Sequence, residues 1–202
     1  MQILIATGNA HKFNELLQIL PRSNQAGEVI CYKNLADFSS FVPPEETGAT
    51  LEENACLKAV SAARATGLIT LSDDTGLEVD ALNGAPGVHT ARYAGENADA
   101  AANNSRLLAA LQNVPTAKRT ARFRTVACLA FPNGKVELCE GKVEGSITTQ
   151  YHGANGFGYD PIFYVTEKEK TFAELSANEK NEVSHRGRAF RLLAKYILQL
   201  NG

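Results

Sequence analysis

Residues 72–80 read Ser-Asp-Asp-Thr-Gly-Leu-Glu-Val-Asp and follow the apolar run Leu68-Ile69-Thr70-Leu71. That spacing puts Asp73 and Asp74 at the end of a short buried strand, with the chain expected to turn at Thr75-Gly76. Adjacent carboxylates at the rim of a core repel each other and lose hydration, so they demand a counter-charge. A hard divalent cation supplies it in sites that work on phosphates, with Mg2+ the default. A solvated Asp-Asp-Thr-Gly turn accounts for the same residues. The other segments have to decide.

Thr7-Gly8-Asn9-Ala10-His11-Lys12 sits between a first apolar strand and a first helix. Such a junction presents backbone N–H groups at the positive end of a helix dipole, where phosphate binds. Gly8 allows close approach, Thr7 and Asn9 can donate, and Lys12 adds charge. The spacing is not that of a Walker A loop, and a plain strand-to-helix turn fits equally. Glu45 and Glu46 lie in the loop Pro43-Pro44-Glu45-Glu46-Thr47-Gly48, from which a carboxylate can reach a metal or simply face water. Lys58, on the helix that follows, is either a surface lysine or a charge aimed at a ligand. Gly156-Phe157-Gly158-Tyr159-Asp160-Pro161 sets aromatics between glycines, as a base-stacking platform requires; packing on the core is the other use. Lys180, His185, Arg186, Arg188 and Arg191 gather near the start of the last helix. There His185 and Arg186 can reach a ligand, whereas Arg188 and Arg191 suit a solvated face.

These residues need a scaffold. A chain of 202 residues, 44% hydrophobic and 21% charged, suits one domain, or one domain with two lobes. Its net charge of −2 provides no global basic field for nucleic acid or an anionic membrane. No apolar stretch approaches the roughly 18 residues of a membrane span, and Met1-Gln2-Ile3-Leu4-Ile5 reads as a strand rather than a signal peptide. Cys31, Cys56, Cys128 and Cys139 lack zinc-site spacing, which points to a reduced, cytoplasmic protein.

Periodicity predicts a strand over 2–6 and a helix over 11–20, with Phe13, Leu16, Leu17 and Leu20 on one face and Pro21 ending it. A second strand is expected at 29–32. Thr50-Leu51-Glu52-Glu53 is a capping box opening a helix that Gly67 stops. Leu77–Leu82 reads as a separate strand, 83–97 as a glycine-rich loop and 98–113 as a helix. Strands over 120–131 and 135–149 are joined at Asn133-Gly134, a hairpin signal. A two-residue turn there would set Pro132 across from Lys135, Cys128 across from Cys139 and Val126 across from Gly141, with both thiols free. A strand at 162–165, a capping box at Ser176–Glu179 and a helix over 184–200 complete the chain. Mixed strands and helices in this order imply an α/β protein, a mixed central sheet flanked by helices.

Thr-Gly-Asn-x-x-Lys, Glu-Glu-Thr-Gly, Glu-Asn-Ala-x-x-Lys-Ala, Ser-Asp-Asp-Thr-Gly-Leu, Gly-Ala-Pro-Gly-Val-His-Thr-Ala-Arg-Tyr, Gly-Phe-Gly-Tyr-Asp-Pro and Ser-His-Arg-Gly occur in that order. The chain thereby resembles the inosine-triphosphate pyrophosphatase family from Ile3 to about Leu193. The resemblance implies one nucleoside-triphosphate pyrophosphatase domain over 1–202, two-lobed, with the active site in the cleft between the lobes. It implies Mg2+-dependent hydrolysis of ITP, dITP and XTP to the monophosphate and pyrophosphate, sparing ATP and GTP. It also implies a homodimer. By that similarity Thr7, Gly8, Asn9, Ala10, His11 and Lys12 hold the triphosphate. Asp74 is the catalytic carboxylate and a metal ligand, Glu45 the second ligand, and Lys58 offsets phosphate charge. Thr75, Phe157, Gly158, Tyr159, Asp160, Lys180, His185 and Arg186 contact nucleotide, with Phe157 stacking on the base. Thr75 stands where many relatives have serine.

Two other readings compete: a related pyrophosphatase for modified pyrimidine or methylated nucleotides, as in the septum-formation-inhibitor family, and a non-catalytic nucleotide sensor. The Asp73-Asp74 pair disfavours the sensor. Nucleic acid is disfavoured by the charge balance.

Overall fold

The computed structural model describes residues 1–200; the last two positions of the expected 1–202 domain lie outside them. The chain begins β1 (Gln2–Ile5), α1 (Ala10–Ile19), β2 (Cys31–Asn34), α2 (Leu51–Thr66) and β3 (Ile69–Val79). It continues β4 (Pro86–Gly87), α3 (Ala100–Ala110), β5 (Thr120–Ala130) and β6 (Val136–Ile147). It ends β7 (Phe163–Val165), β8 (Lys170–Thr171), α4 (Ala177–Val183) and α5 (His185–Leu198). The architecture is mixed α/β. No helix among the described residues is long and apolar enough to cross a membrane.

Two compact units emerge. The first comprises Met1–Asp74, Thr125–Gly141 and the chain from Arg186; the second comprises Thr75–Arg124 and Lys142–His185. Strands β3, β5 and β6 each contribute residues to both.

In the first unit β1 pairs in parallel with β2 on one side and with the start of β3 on the other, Ile3 opposite Ile69 and Ile5 opposite Leu71. Side chains alternate along a strand, and β1 uses both faces. Ile3 and Ile5 pack with Leu16 of α1 and with Phe190, Leu193 and Ile197 of α5. Leu4 packs with Ala62 of α2. Helices therefore cover both faces of this sheet, which explains why β1 reads as continuously apolar rather than alternating. The second strand lies two residues later than its apolar run suggests. Val29 is exposed and lies before the strand, in an isolated bridge to Ser23 and accepting from the Met1 ammonium at 3.0 Å. The capping box of α2 forms, Thr50 accepting from Glu53 N at 3.2 Å, and Gly67 ends the helix at φ +69°.

The expected turn at Thr75-Gly76 is absent. β3 runs unbroken from Ile69 to Val79, so Leu77–Leu82 is not a separate strand. Its second half has partners that the sequence does not advertise. Leu77 pairs with Gly87 and Glu78 with Pro86 of β4, while the Leu77 N–H donates to Thr90 Oγ1 at 2.7 Å. Part of the expected 83–97 loop is thus a strand partner. Backbone groups that would otherwise be buried unpaired are satisfied, and that favours extension over a turn.

The second unit has its own core. Leu107 and Leu111 from α3 and its end, Phe172, Leu175 and Val183 meet Leu77, Phe123, Val143, Ile147 and Phe163 from the strands. β6 pairs antiparallel with β7, and β7 with β8.

The β5–β6 connection also departs from expectation. The Phe131 N–H donates to Lys135 O and the Gly134 N–H to Phe131 O, each at 2.9 Å, with Gly134 at φ +90°. This is a three-residue turn with glycine in the left-handed position, not a two-residue one. The Ile147 N–H to Arg119 O bond keeps the same offset at the far end. Cys139 therefore falls opposite Ala127, not Cys128, and Cys128 opposite Leu138. A one-residue slip exchanges faces. Cys128 accordingly meets Cys56 of α2, whereas Cys139 packs beside the cluster containing Ala127 and Phe190. All four cysteines are free thiols.

Candidate active site

Asp73 and Asp74 are successive residues of an extended strand, so their side chains leave on opposite faces. Each face supplies different partners, all within the first unit.

Asp73 turns toward α1 and α5. Its Oδ2 accepts from Lys12 Nζ at 3.1 Å and from Arg186 Nε and Nη2 at 3.3 Å each. Arg186 Nη1 continues to Glu15 Oε2 at 2.7 Å. Burial alone would push the Asp73 carboxyl up. Lys12, Arg186 and Lys58 overcome it and hold Asp73 well below the usual carboxylate range. Burial pulls the Lys12 ammonium down, against the attraction of Asp73. The Arg186 guanidinium is also desolvated, and Asp73 and Glu15 keep it charged. A buried ion network of this kind costs desolvation, and it is retained only when every charge has a close partner.

Asp74 turns toward α2. Lys58 Nζ reaches Asp74 Oδ1 at 2.9 Å and Glu46 Oε1 at 2.7 Å. Asn54 Nδ2 donates to Asp74 Oδ2 at 3.3 Å, and Asn54 Oδ1 accepts from the Gly48 N–H at 2.8 Å. Asn54 and Lys58 stand one helical turn apart on one face, which lets both reach the same carboxylate. Burial raises Asp74 above the ordinary aspartate value and Lys58 pulls it back only partly. Lys58, which burial would lower, is raised on balance by Asp74, Asp73 and Glu46. Asp73 is thus saturated with positive charge, whereas Asp74 is not. Glu45 is exposed, and the loop carboxylate that meets Lys58 is Glu46.

At the start of α1, Asn9 Oδ1 accepts from His11 N at 2.9 Å and Lys12 N at 3.2 Å, and Asn9 N donates to Thr7 Oγ1 at 3.2 Å. Gly8, Asn9, Ala10 and His11 are exposed. The helix start is therefore capped internally by groups that a phosphate oxygen, a stronger acceptor than an amide, can displace.

The remaining expected residues belong to the second unit, beginning with the half-buried Thr75. In the glycine loop Asp160 Oδ2 accepts from the Phe157 N–H at 2.8 Å and from Lys180 Nζ at 2.6 Å. Lys180 Nζ also lies 4.5 Å from the centre of the Phe157 ring. Asp160 thus holds the Phe157 backbone and Lys180 its ring. Gly156 stands at φ +77°, and a Cβ there would collide with Asp160. Gly158, at φ +62°, accepts from Asn104 Nδ2 at 3.0 Å. Tyr159 turns into the core and its hydroxyl donates to Thr90 O at 2.9 Å, so its side chain holds the loop down. His185 is buried with its ring stacked on Phe123, centroids 4.6 Å apart.

Glu15 and Asn54 are not singled out by the sequence reading, which names Glu45 and Glu46 together as loop carboxylates. Signals existed. Glu15 lies one turn beyond Lys12, and the Glu-Asn-Ala-x-x-Lys spacing places Asn54 beside Lys58. Nothing in the sequence distinguishes which of two consecutive loop glutamates turns inward.

A sequence model of the Ham1 family matches residues 3–196. The chain is 56% identical over 197 residues to a dITP/XTP pyrophosphatase of Elusimicrobium minutum, covering 98% of this chain and 100% of that protein. It is 48% identical over 200 residues to a dITP/XTP pyrophosphatase of Desulforamulus reducens, covering 99% and 97%. Among solved structures, a HAM1 protein from Coxiella burnetii matches with a TM-score of 0.87 at 40% identity, over 99% of this chain and 100% of that one. The Staphylococcus aureus Ham1 protein matches with a TM-score of 0.85 at 41% identity, over 98% of each. With both sequence and fold aligned along nearly the whole length, the chain belongs to the Ham1 family.

Proposed function

We propose that the protein hydrolyses non-standard purine nucleoside triphosphates (ITP, dITP and XTP) to the monophosphate and pyrophosphate, and so removes deaminated purines from the nucleotide pool. The observation that carries this reading is the buried Asp74, ion-paired to Lys58, which also holds Glu46, in a chain of which 98% aligns with a dITP/XTP pyrophosphatase.

The cofactor is a divalent cation, Mg2+ by preference. The donor set suits it: Asp74 and the Glu45-Glu46 loop offer hard oxygen ligands, and Asp74 has charge that Lys58 leaves uncompensated. Mg2+ commonly takes one or two carboxylates and completes its shell with water and substrate phosphates. When bound, it neutralises phosphate charge and lowers the pKa of water beside it. Glu45 and Asp74 would hold it, beside Glu46, which ion-pairs with Lys58.

The chain's own residues do the rest. Thr7 to Lys12 grip the triphosphate, with Lys12 and the start of α1 facing its charge. Asp74 orients the attacking water toward the α-phosphorus and accepts its proton at a carboxylate oxygen; burial prepares it by raising its proton affinity. Lys58 steadies charge that develops on phosphate oxygens. Asp73 does not touch substrate; it keeps Lys12 and Arg186 in place. Thr75 contacts nucleotide through its hydroxyl.

Phe157 stacks on the purine, held by Lys180 and Asp160. Donors along 157–160, with His185, satisfy the 6-carbonyl of hypoxanthine or xanthine. The 6-amino group of adenine leaves such donors unpaired, at about 1–3 kcal/mol each when buried. We also assign the protein to the cytoplasm as a homodimer that binds no nucleic acid. The negative net charge and free thiols support that placement.

Steady-state kcat/KM with pyrophosphate detection across ITP, dITP, XTP, GTP, ATP and modified pyrimidine triphosphates tests the reading. Preference for ITP, dITP and XTP is expected. Preference for the pyrimidines would move the protein's substrate class, and no release from any triphosphate in excess Mg2+ would leave a sensor.

A further inference from the structure

We infer that Asn54 is a positioning residue for the cation site: it locks the Glu45-Glu46 loop to Asp74 through both ends of one carboxamide. This assignment rests on the metal-dependent reading above. It concerns a residue that touches neither substrate nor cation.

The geometry is a pair of parallel bridges from one face of α2. Lys58 joins Glu46 to Asp74 Oδ1, at 2.7 and 2.9 Å. Asn54 joins the Gly48 N–H to Asp74 Oδ2, at 2.8 and 3.3 Å. Both bridges tie the same loop to the same carboxylate. They differ in charge. A cation arriving between Asp74 and the loop carboxylates competes with the Lys58 ammonium for the same oxygens, so that bridge weakens when the site is loaded. The Asn54 amide carries no net charge and is not displaced by repulsion. It would keep the loop in register with the site loaded as well as empty.

The loop is built around that bond. Asn54 is 2% exposed, and its amide donor and acceptor both have partners. Glu53 Oε2 takes the Ala49 and Thr50 N–H groups, at 2.6 and 3.3 Å, so the backbone on either side of the bridge is also fixed. Gly48 admits no side chain there: a Cβ would lie 2.6 Å from Asn54 Oδ1 and 2.7 Å from Glu53 Cβ. A glycine is required because the backbone presses against the amide. Residues that orient metal ligands from outside the coordination shell typically contribute about 10- to 100-fold in metal affinity.

The test is a Mn2+ titration of the protein followed by electron paramagnetic resonance, on the unsubstituted chain, Asn54→Leu and Gly48→Ala. Leucine keeps the volume and removes both hydrogen bonds. Alanine at 48 pushes the loop off an intact asparagine. Both variants are expected to bind Mn2+ about 10-fold more weakly or worse, and to raise the Mg2+ concentration for half-maximal pyrophosphate release. Native circular dichroism is expected in both. Unaltered Mn2+ affinity in a folded Asn54→Leu overturns the assignment, even with a lower Tm, because a purely structural asparagine would move Tm and not the metal. Should Asn54→Leu fail to fold, Gly48→Ala decides by the same criterion. Failure of the unsubstituted chain to bind Mn2+ overturns the metal reading itself, and this assignment with it.

Discussion

Asp73 and Asp74 are consecutive in the chain yet answer to different cations: Lys12 and Arg186 hold the first, Lys58 the second. Strand alternation separates them, and separation gives them different jobs. A carboxylate saturated by two buried cations organises. A carboxylate left partly compensated can take a metal and a proton.

Asp73→Asn should therefore cost stability. It leaves Lys12 and Arg186 desolvated with one full counter-charge fewer, a loss of about 3–5 kcal/mol for breaking a buried pair. Urea unfolding measures it. Because Asp73 titrates below its ordinary value, its contribution is present above about pH 4 and disappears as pH falls further. The variant should show a flatter acid limb than the unsubstituted protein; an unchanged limb would show that the network is not what holds the ion.

Asp74→Asn should instead lose most of kcat while unfolding near the normal urea concentration. The amide oxygen still accepts from Lys58, whose other partner Glu46 is untouched, and only the longer Asn54 bond is lost; the amide neither binds a cation well nor accepts the proton. Turnover near normal would remove Asp74 from the chemistry.

Metal removal should be total and reversible. After exhaustive EDTA treatment and exchange into metal-free buffer, no pyrophosphate release from ITP is expected, with activity restored by Mg2+. Full activity in the chelated sample would contradict the cation reading.

Phe157→Ala should weaken nucleotide binding by about 1–3 kcal/mol with little change in base preference, since every base has a π-face. Gly156→Ala offers an independent check from the backbone, because its Cβ would displace Asp160 and with it the Phe157 N–H. KM should rise in both with kcat less affected. An unchanged KM in Phe157→Ala would leave the ring as packing.

The hairpin register is testable without kinetics. Mild oxidation followed by non-reducing peptide mapping should give no Cys128–Cys139 linkage, as these residues are not opposed and face different helices. Recovery of that linkage from native protein would restore the two-residue turn.

Much of the local structure is legible along the chain. Capping boxes at Thr50–Glu53 and Ser176–Glu179, the Gly67 stop and the apolar face of α1 are local devices, set by residues within a turn or two of each other. The motif order identified the family for the same reason: it lies along the chain. Tertiary structure decided the rest. β3 passes through Thr75-Gly76 because β4 and Thr90, ten or more residues away, satisfy its backbone. The hairpin takes a third residue because Gly134, not Asn133, occupies the left-handed position. Which loop glutamate meets Lys58, and which aspartate meets Lys12, depends on the faces that distant helices cover. Periodicity says that neighbours on a strand point apart; only packing says what waits on each side.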